Sequence, residues 1–228
     1  MNYIFQPSAI PTVPVQDSDA RFPVRRIFCI GRNYADHARE MGATVDRGNP
    51  VFFCKPADGI VCDGMDVPYP TVTQSLHHEV EMVLALGSGG RDLDAANATH
   101  SIFGYGVGLD LTRRDLQTAM KAGGLPWDIA KAFDHSAPVS SLRPAHLGAP
   151  ATNAILALEV NGEQRQRAPI GDMIWSAAEI LVELSHLFEL KAGDLVFTGT
   201  PAGVAALERG DVFHARLEGI ADLRGRVV

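Results

Sequence analysis

The sequence predicts a mixed fold, richer in strands than in helices, and three observations predict it. Apolar runs of strand length recur at 26–30, 51–55, 77–86, 104–111, 155–160 and 194–198, punctuated by Gly, Pro or Asn-Gly. Helical spacing is confined to a short segment after Asn33, to 112–122 and to about 173–190. A chain of 228 residues with ordinary apolar content makes one domain, or one domain with a small lobe.

Residues 1–25, with Pro7, Pro11, Pro14 and Pro23, read as an N-terminal arm, extended on the body or partly disordered; 26–228 reads as a single domain. Arg26–Ile30 is a short buried strand ending at Gly31. The helix after it takes Asn33 as its N-cap, Asp36 in its first turn and Gly42 as its stop. A polar loop over 43–50 leads to the strand Val51–Lys55, closed by Pro56, and 56–75 reads as turns around short strands. Gly87-Ser88-Gly89-Gly90 lacks the Gly-Lys-Ser/Thr ending of a phosphate loop and reads as a turn. On the 112–122 helix, Leu116 and Met120 share the apolar face. Asn161-Gly162 marks a hairpin after 155–160. In the 173–190 helix, Ile174, Ala178, Leu181, Leu184 and Phe188 recur at helical spacing, with Gly193 beyond its end. The remaining chain provides two or three strands.

Two carboxylates stand out. Glu79 and Glu81 lie two apart in a strand, so they point to the same face, and Val83 and Ala85 carry that face into the core. Two like charges there require that one be protonated or that a cation sit between them. In the next strand, Asp110 shares a face with Gly104, Gly106 and Gly108. Glycine inside a strand implies close approach of something, either a metal with bound substrate or a tightly packed second sheet. Three carboxylates without a nearby cysteine favour a hard cation, Mg²⁺ or Mn²⁺, over Zn²⁺. His77 and His78, beside the glutamates, read as supporting residues, since hard cations prefer oxygen.

Other residues fit the same chemistry. His37 and Glu40, three apart on the short helix, share a face. A carboxylate orients a histidine and raises its basicity, as a general base requires; a surface helix pair is the alternative. Arg113, Arg114 and Gln117 follow Asp110, and at least one faces the carboxylates. Lys131 sits in the apolar stretch Trp127–Phe133, where a lysine either snorkels or pairs with an anion. Thr198-Gly199-Thr200-Pro201-Ala202-Gly203 offers a hydroxyl and backbone N–H groups to an anion, or is a tight turn.

A net charge of −7 argues against nucleic acid as the main partner, without forbidding an anionic substrate. The odd set Cys29, Cys54 and Cys62 reads as free thiols of a cytoplasmic protein. No signal peptide is evident, and the apolar runs are too short to span a bilayer.

Five motifs occur in order: Gly31-Arg32-Asn33-Tyr34-Ala35-Asp36-His37, Lys55-Pro56, His77-His78-Glu79-Val80-Glu81, Gly108-Leu109-Asp110-Leu111-Thr112 with Arg114-Asp115, and Thr198-Gly199-Thr200-Pro201. Together they resemble the fumarylacetoacetate hydrolase family, in its short form of acylpyruvate and fumarylpyruvate hydrolases. The resemblance covers about 25–228. It implies an α+β fold of rolled, stacked mixed sheets, a homodimer, and a catalytic domain with a small lid within 26–70. It implies a Mg²⁺ or Mn²⁺ site of Glu79, Glu81 and Asp110, and a water-activating pair of His37 and Glu40. It implies a pocket for a 2-oxo acid or dicarboxylate lined by Lys131, Arg114, Gln117 and Thr200. The segment Phe133–Pro138 and the arm ending Arg25-Arg26 resemble the fumarylpyruvate hydrolases of gentisate breakdown. The expected reaction is hydrolysis of a C–C bond in a 2,4-dioxo acid, with Arg32, Arg114 or His135 holding the far carboxylate. The alternatives are an oxaloacetate decarboxylase, another acylpyruvate hydrolase or isomerase, and a non-catalytic metal- and dicarboxylate-binding protein.

Overall fold

A computed structural model describes residues 2–40, 42 and 47–228. Of the polar loop expected over 43–50, residues 43–46 lie outside the described residues. The fold is the expected α+β arrangement, with both parallel and antiparallel pairs in its main sheet. That sheet runs in the order Val51–Lys55, Arg26–Gly31, Asp194–Phe197, Val80–Leu86, Ile102–Leu109, Ala137–Val139 and Ile60–Cys62, with Arg143–Pro144 also paired to Ile102–Leu109. A second sheet orders Glu163–Pro169, Ile155–Val160, Val212–Leu217, Ala221–Val227 and Asp66–Val67. Thr112–Arg113, Leu76–His77 and Ala206–Leu207 form a small third sheet.

The strand Val80–Leu86 explains how the site is placed. It is buried along its whole length, because each face meets a different core. Met82, Leu84 and Leu86 join Leu156, Leu158, Phe213 and Leu223 between the two large sheets. Val83 and Ala85 join Leu195, Phe197, Val139 and Leu142 on the other side. Glu79 and Glu81 carry the second parity to the strand's start, so a continuous apolar layer ends in two carboxylates. Within the arm, Thr12–Pro14 and Arg21–Pro23 pair as a hairpin, and its Val13, Val15, Phe22 and Val24 fill this second core.

Several expectations need correction. The glycine face of Ile102–Leu109 does not open onto the site. A side chain at Gly108 would meet Phe197 at 2.7 Å, at Gly106 Ser140 Oγ at 2.9 Å, and at Gly104 the Arg143 carbonyl at 2.6 Å. The glycines admit neighbouring protein, but from strands of the same sheet and the turn at Ser140–Leu142, so neither a ligand nor a second sheet is the occupant. Asn33 is no N-cap. Its amide is fully buried and accepts from Trp175 N (2.7 Å) while donating to the Trp175 and Thr198 carbonyls (2.9 and 2.7 Å). The long helix spans Ala177–Leu187, starting at a Ser176/Glu179 capping box. The apolar residues Ile174 and Phe188 that extended its pattern lie outside it, with Ile174 N bonded to the Asn33 carbonyl. The helix read as 112–122 spans Arg114–Ala122 because Thr112–Arg113 pairs with Leu76–His77; its buried side chain is Gln117, not Leu116 or Met120. The hairpin at Asn161-Gly162 forms as expected, both residues having positive φ (54° and 79°). The three cysteines are free, and no described helix is long and apolar enough to cross a membrane.

Candidate active site

Glu79, Glu81 and Asp110 meet at one point. Each offers an oxygen, all within 4.8 Å of one another, and all three residues are buried. Glu79 and Glu81 stand at the start of Val80–Leu86, and Asp110 directly follows Ile102–Leu109, which is hydrogen-bonded to it. The backbone ties them further, since Asp110 N donates to the Glu79 carbonyl at 2.8 Å.

Three cations answer these charges unequally. Lys131 Nζ lies 2.7 Å from Glu79 Oε2 and 2.6 Å from Asp110 Oδ2. Lys55 Nζ is 2.8 Å from Asp110 Oδ1, and directs hydrogen bonds to the carbonyls of Leu111 and Lys131. Arg114 pairs with Glu79. Glu81 has no ion pair among the described residues; its Oε2 accepts from Gly199 N at 2.6 Å. Burial opposes the charge of Glu79, but Lys131, Arg114 and His37 outweigh it and hold its pKa well below the usual range. Burial, then Asp110 and Glu79, push Glu81 well above that range. Lys131 is raised, because Asp110 and Glu79 outweigh its burial, so it remains an ammonium.

This arrangement fits a divalent cation. A buried carboxylate without a counter-charge stands within reach of two others, and the donor set is all oxygen. His77 and His78 stay outside the acidic cluster. Burial, then Arg114 and His78, hold His77 down to about 4, and burial lowers His78.

The cleft above the carboxylates is lined by His37, Arg32, Arg114, Gln117, Lys131 and Thr200, so it gathers the sequence-predicted residues except Glu40 and His135. Glu40 sits behind His37, with its Oε2 3.3 Å from Nδ1, and accepts from Gly203 N at 3.1 and 3.2 Å. The His37 ring is thereby held by Nδ1, leaving Nε2 for the cleft. Arg114 donates to Gln117 Oε1 as well as pairing with Glu79. Arg113 turns away, donating to the Ile129 carbonyl and lying 4.2 Å from the Phe133 ring centroid. His135 is exposed and does not line the cleft.

Sequence reasoning missed Lys55, Lys121, Trp127 and Gln166. Lys55 was visible as part of a motif, but nothing local showed that its ammonium crosses to Asp110. Gln166 belongs to the second sheet and is 1% exposed. Its Oε1 accepts from Val80 N (3.0 Å) and lies 2.9 Å from His78 Nδ1. Its Nε2 donates to Thr200 Oγ1 (2.8 Å) and to the Pro201 carbonyl (2.7 Å). One amide thus fixes the start of the carboxylate strand against the Thr200 turn, and leaves the Thr200 hydroxyl proton free to donate elsewhere. Gln166→Leu strands several of these groups, each costing about 1–3 kcal/mol. We expect at least about 2 kcal/mol lower stability by urea unfolding; a change within about 0.5 kcal/mol, as for a surface substitution, would refute this linking role.

Comparison with known proteins agrees with this geometry. Residues 26–228 match the model of the fumarylacetoacetate (FAA) hydrolase C-terminal family. The chain is 43% identical to the oxaloacetate tautomerase YcgM of Escherichia coli (strain K12) over 200 residues, covering 87% of this chain and 90% of that one. It is 39% identical to a fumarylpyruvate hydrolase of Ralstonia sp over 185 residues, 80% of this chain and 96% of that one. The crystal structure of fumarylpyruvate hydrolase from Pseudomonas aeruginosa in complex with Mn²⁺ and pyruvate matches with a TM-score of 0.97 at 48% identity, covering 100% of this chain and 99% of that one. With the ordered motifs and the assembled carboxylate cluster, these matches establish that the chain belongs to the fumarylacetoacetate hydrolase family of enzymes.

Proposed function

We propose that the protein hydrolyses the C3–C4 bond of a 2,4-dioxo acid, with fumarylpyruvate as substrate and fumarate and pyruvate as products. One observation carries this reading: a histidine held by a carboxylate lines the same cleft as a buried three-carboxylate cluster and an ammonium. The similarity to the Pseudomonas aeruginosa enzyme, solved with Mn²⁺ and pyruvate, supports it. Glu79, Glu81 and Asp110 would hold Mg²⁺ or Mn²⁺, which supplies Lewis-acid stabilisation of developing oxygen charge.

The chain's own residues account for the rest. Arg114, Gln117 and the Thr200 hydroxyl offer donors to the 2-oxo acid end. His37 Nε2 takes a proton from water as its oxygen adds to the C4 carbonyl, and Glu40 keeps the ring oriented and stabilises its positive charge. The C3–C4 bond then breaks: C4 leaves as fumarate, and its electron pair passes to C3, giving the pyruvate enolate. Lys131, kept protonated by Asp110 and Glu79, donates a hydrogen bond to the enolate oxygen; the proton that His37 took from water then passes to C3, completing pyruvate and restoring the neutral imidazole, while the new carboxyl of fumarate ionises to solvent.

The similarity to oxaloacetate tautomerases favours a second reading, enol–keto proton transfer on oxaloacetate, which needs no activated water. The test follows pyruvate and fumarate release from fumarylpyruvate and, separately, enol–keto interconversion of oxaloacetate by the loss of its enol ultraviolet absorbance. We expect kcat/KM for fumarylpyruvate to exceed that for oxaloacetate at least about tenfold, roughly 1.4 kcal/mol of differential transition-state binding. Chelation should abolish activity, and Mg²⁺ or Mn²⁺ should restore it. Equal or greater efficiency on oxaloacetate, or full activity after chelation, would overturn the reading.

A further inference from the structure

We propose that Lys121 and Arg32 form a separate anion subsite at the outer end of the cleft, which receives the far carboxylate of a long 2-oxo diacid. The proposal rests on the reading of the inner cleft as a 2-oxo acid site, and adds which residues receive the substrate's far carboxylate.

The helix Arg114–Ala122 sets the distance. Arg114, Gln117 and Lys121 are spaced three and four apart, so they share one face, and all three line the cleft. Arg114 marks the inner end through its ion pair with Glu79. Lys121 lies seven residues on, about 10 Å further along the axis at 1.5 Å per residue. Arg32 lines the same cleft from another segment of the chain, near enough for its charge to act on Lys121. Its φ of 60°, in the left-handed region, lets the fully buried Asn33 turn inward while Arg32 stays exposed at the cleft.

The charges there are unanswered. Among the described residues, neither Arg32 nor Lys121 has an ion pair with a carboxylate, whereas Arg114, Lys131 and Lys55 all do. Burial, then the neighbouring charges of Arg114 and Arg32, lower the pKa of Lys121; Glu79, the carboxylate that acts against this, is already shared by Arg114 and Lys131. An anion between Lys121 and Arg32 relieves that repulsion. Between the inner and outer ends stand two aromatic rings, Phe53 and Trp127, with centroids 5.9 Å apart, and Lys121 Nζ lies 5.1 Å from the Trp127 centroid. Such walls suit a flat, unsaturated spacer that carries a carboxylate at its far end. A diacid as short as oxaloacetate cannot place one carboxylate beside Arg114 and the other two helical turns away.

The test uses ligands that lack a 4-oxo group and so are not cleaved at C3–C4. Titration calorimetry on the Mn²⁺-loaded protein compares 2-oxoheptanedioate with 2-oxoheptanoate, which differ only in the far carboxylate. The unmodified protein should bind the diacid at least about tenfold more tightly. Lys121→Met and Arg32→Met should each remove most of that ratio, and Lys121→Arg should keep it. No diacid preference in the unmodified protein, or its survival in both methionine variants, overturns the subsite. Failure of the hydrolase reading shows separately, as absence of pyruvate release from fumarylpyruvate, and leaves this binding test intact.

Discussion

His37→Ala should lower kcat for fumarylpyruvate hydrolysis by about 10²–10⁴, the usual contribution of a general base, or about 2.7–5.5 kcal/mol of transition-state stabilisation. The size follows from what the ring alone can do. It is a buried residue of the helix Ala35–Glu40, fixed through Nδ1 by Glu40, and left with one nitrogen for the cleft. No other described histidine lines that space. The carboxylate cluster does not depend on His37 for its geometry, since Lys131, Lys55, Arg114 and Gly199 N hold it. The variant should therefore still bind Mn²⁺ and the product analogue oxalate. Glu40→Ala should lose less, because Glu40 orients the ring and transfers no proton. Single-turnover kinetics with calorimetric oxalate binding separate these outcomes. Near-normal turnover of His37→Ala at neutral pH would mean that water is activated elsewhere.

The parts of the site that were legible in the sequence are those set by local periodicity. A two-residue repeat was enough to put Glu79 and Glu81 on one face, and a three-residue helical spacing was enough to join His37 to Glu40. Both relations survive in the structure: His37 and Glu40 lie in one helix, and Glu79 directly precedes the strand Val80–Leu86 that holds Glu81, although the run read as one strand over 77–86 breaks at 78–79 and Leu76–His77 joins another sheet. What was illegible depends on chain segments far apart. Lys55 reaches Asp110 across 55 positions, and Gln166 bonds Val80 across 86. Neither residue differs from any buried-looking Lys or Gln until the sheets are stacked. The glycines before Asp110 show the same limit: their small size was readable, but whether a ligand or Phe197 fills the space was a question of tertiary packing. Asn33 looked like a cap because capping residues and long-range amide staples share the same chemistry, and only burial separates them.

The unequal sharing of cations among the three carboxylates yields a sharper prediction than loss of activity. In the presence of chelator, Glu79→Gln should be about 3–5 kcal/mol less stable than the unmodified protein, the cost of breaking a buried ion pair from one side. Glu79 answers two cations, Arg114 and Lys131, whose side chains are 11% and 3% exposed; without it they are left buried, with Asp110 to balance Lys131 and no carboxylate on Arg114. Glu81→Gln should behave oppositely. Glu81 has no ion pair, and its ionised form is opposed by burial, Asp110 and Glu79. Glutamine fixes the neutral state that these effects already favour and keeps an acceptor for Gly199 N, so this variant should be as stable as the unmodified protein or more so. Adding Mn²⁺ should reverse the ranking. The unmodified protein gains RT ln(1 + [L]/Kd) from the bound ion, and Glu81→Gln, with a weakened site, gains less at the same concentration. Chemical denaturation of all three proteins, with chelator and with Mn²⁺, reads both effects. Equal destabilisation of Glu79→Gln and Glu81→Gln under chelation, or equal Mn²⁺ stabilisation of Glu81→Gln and the unmodified protein, would show that the cluster is not organised as the ion pairs indicate.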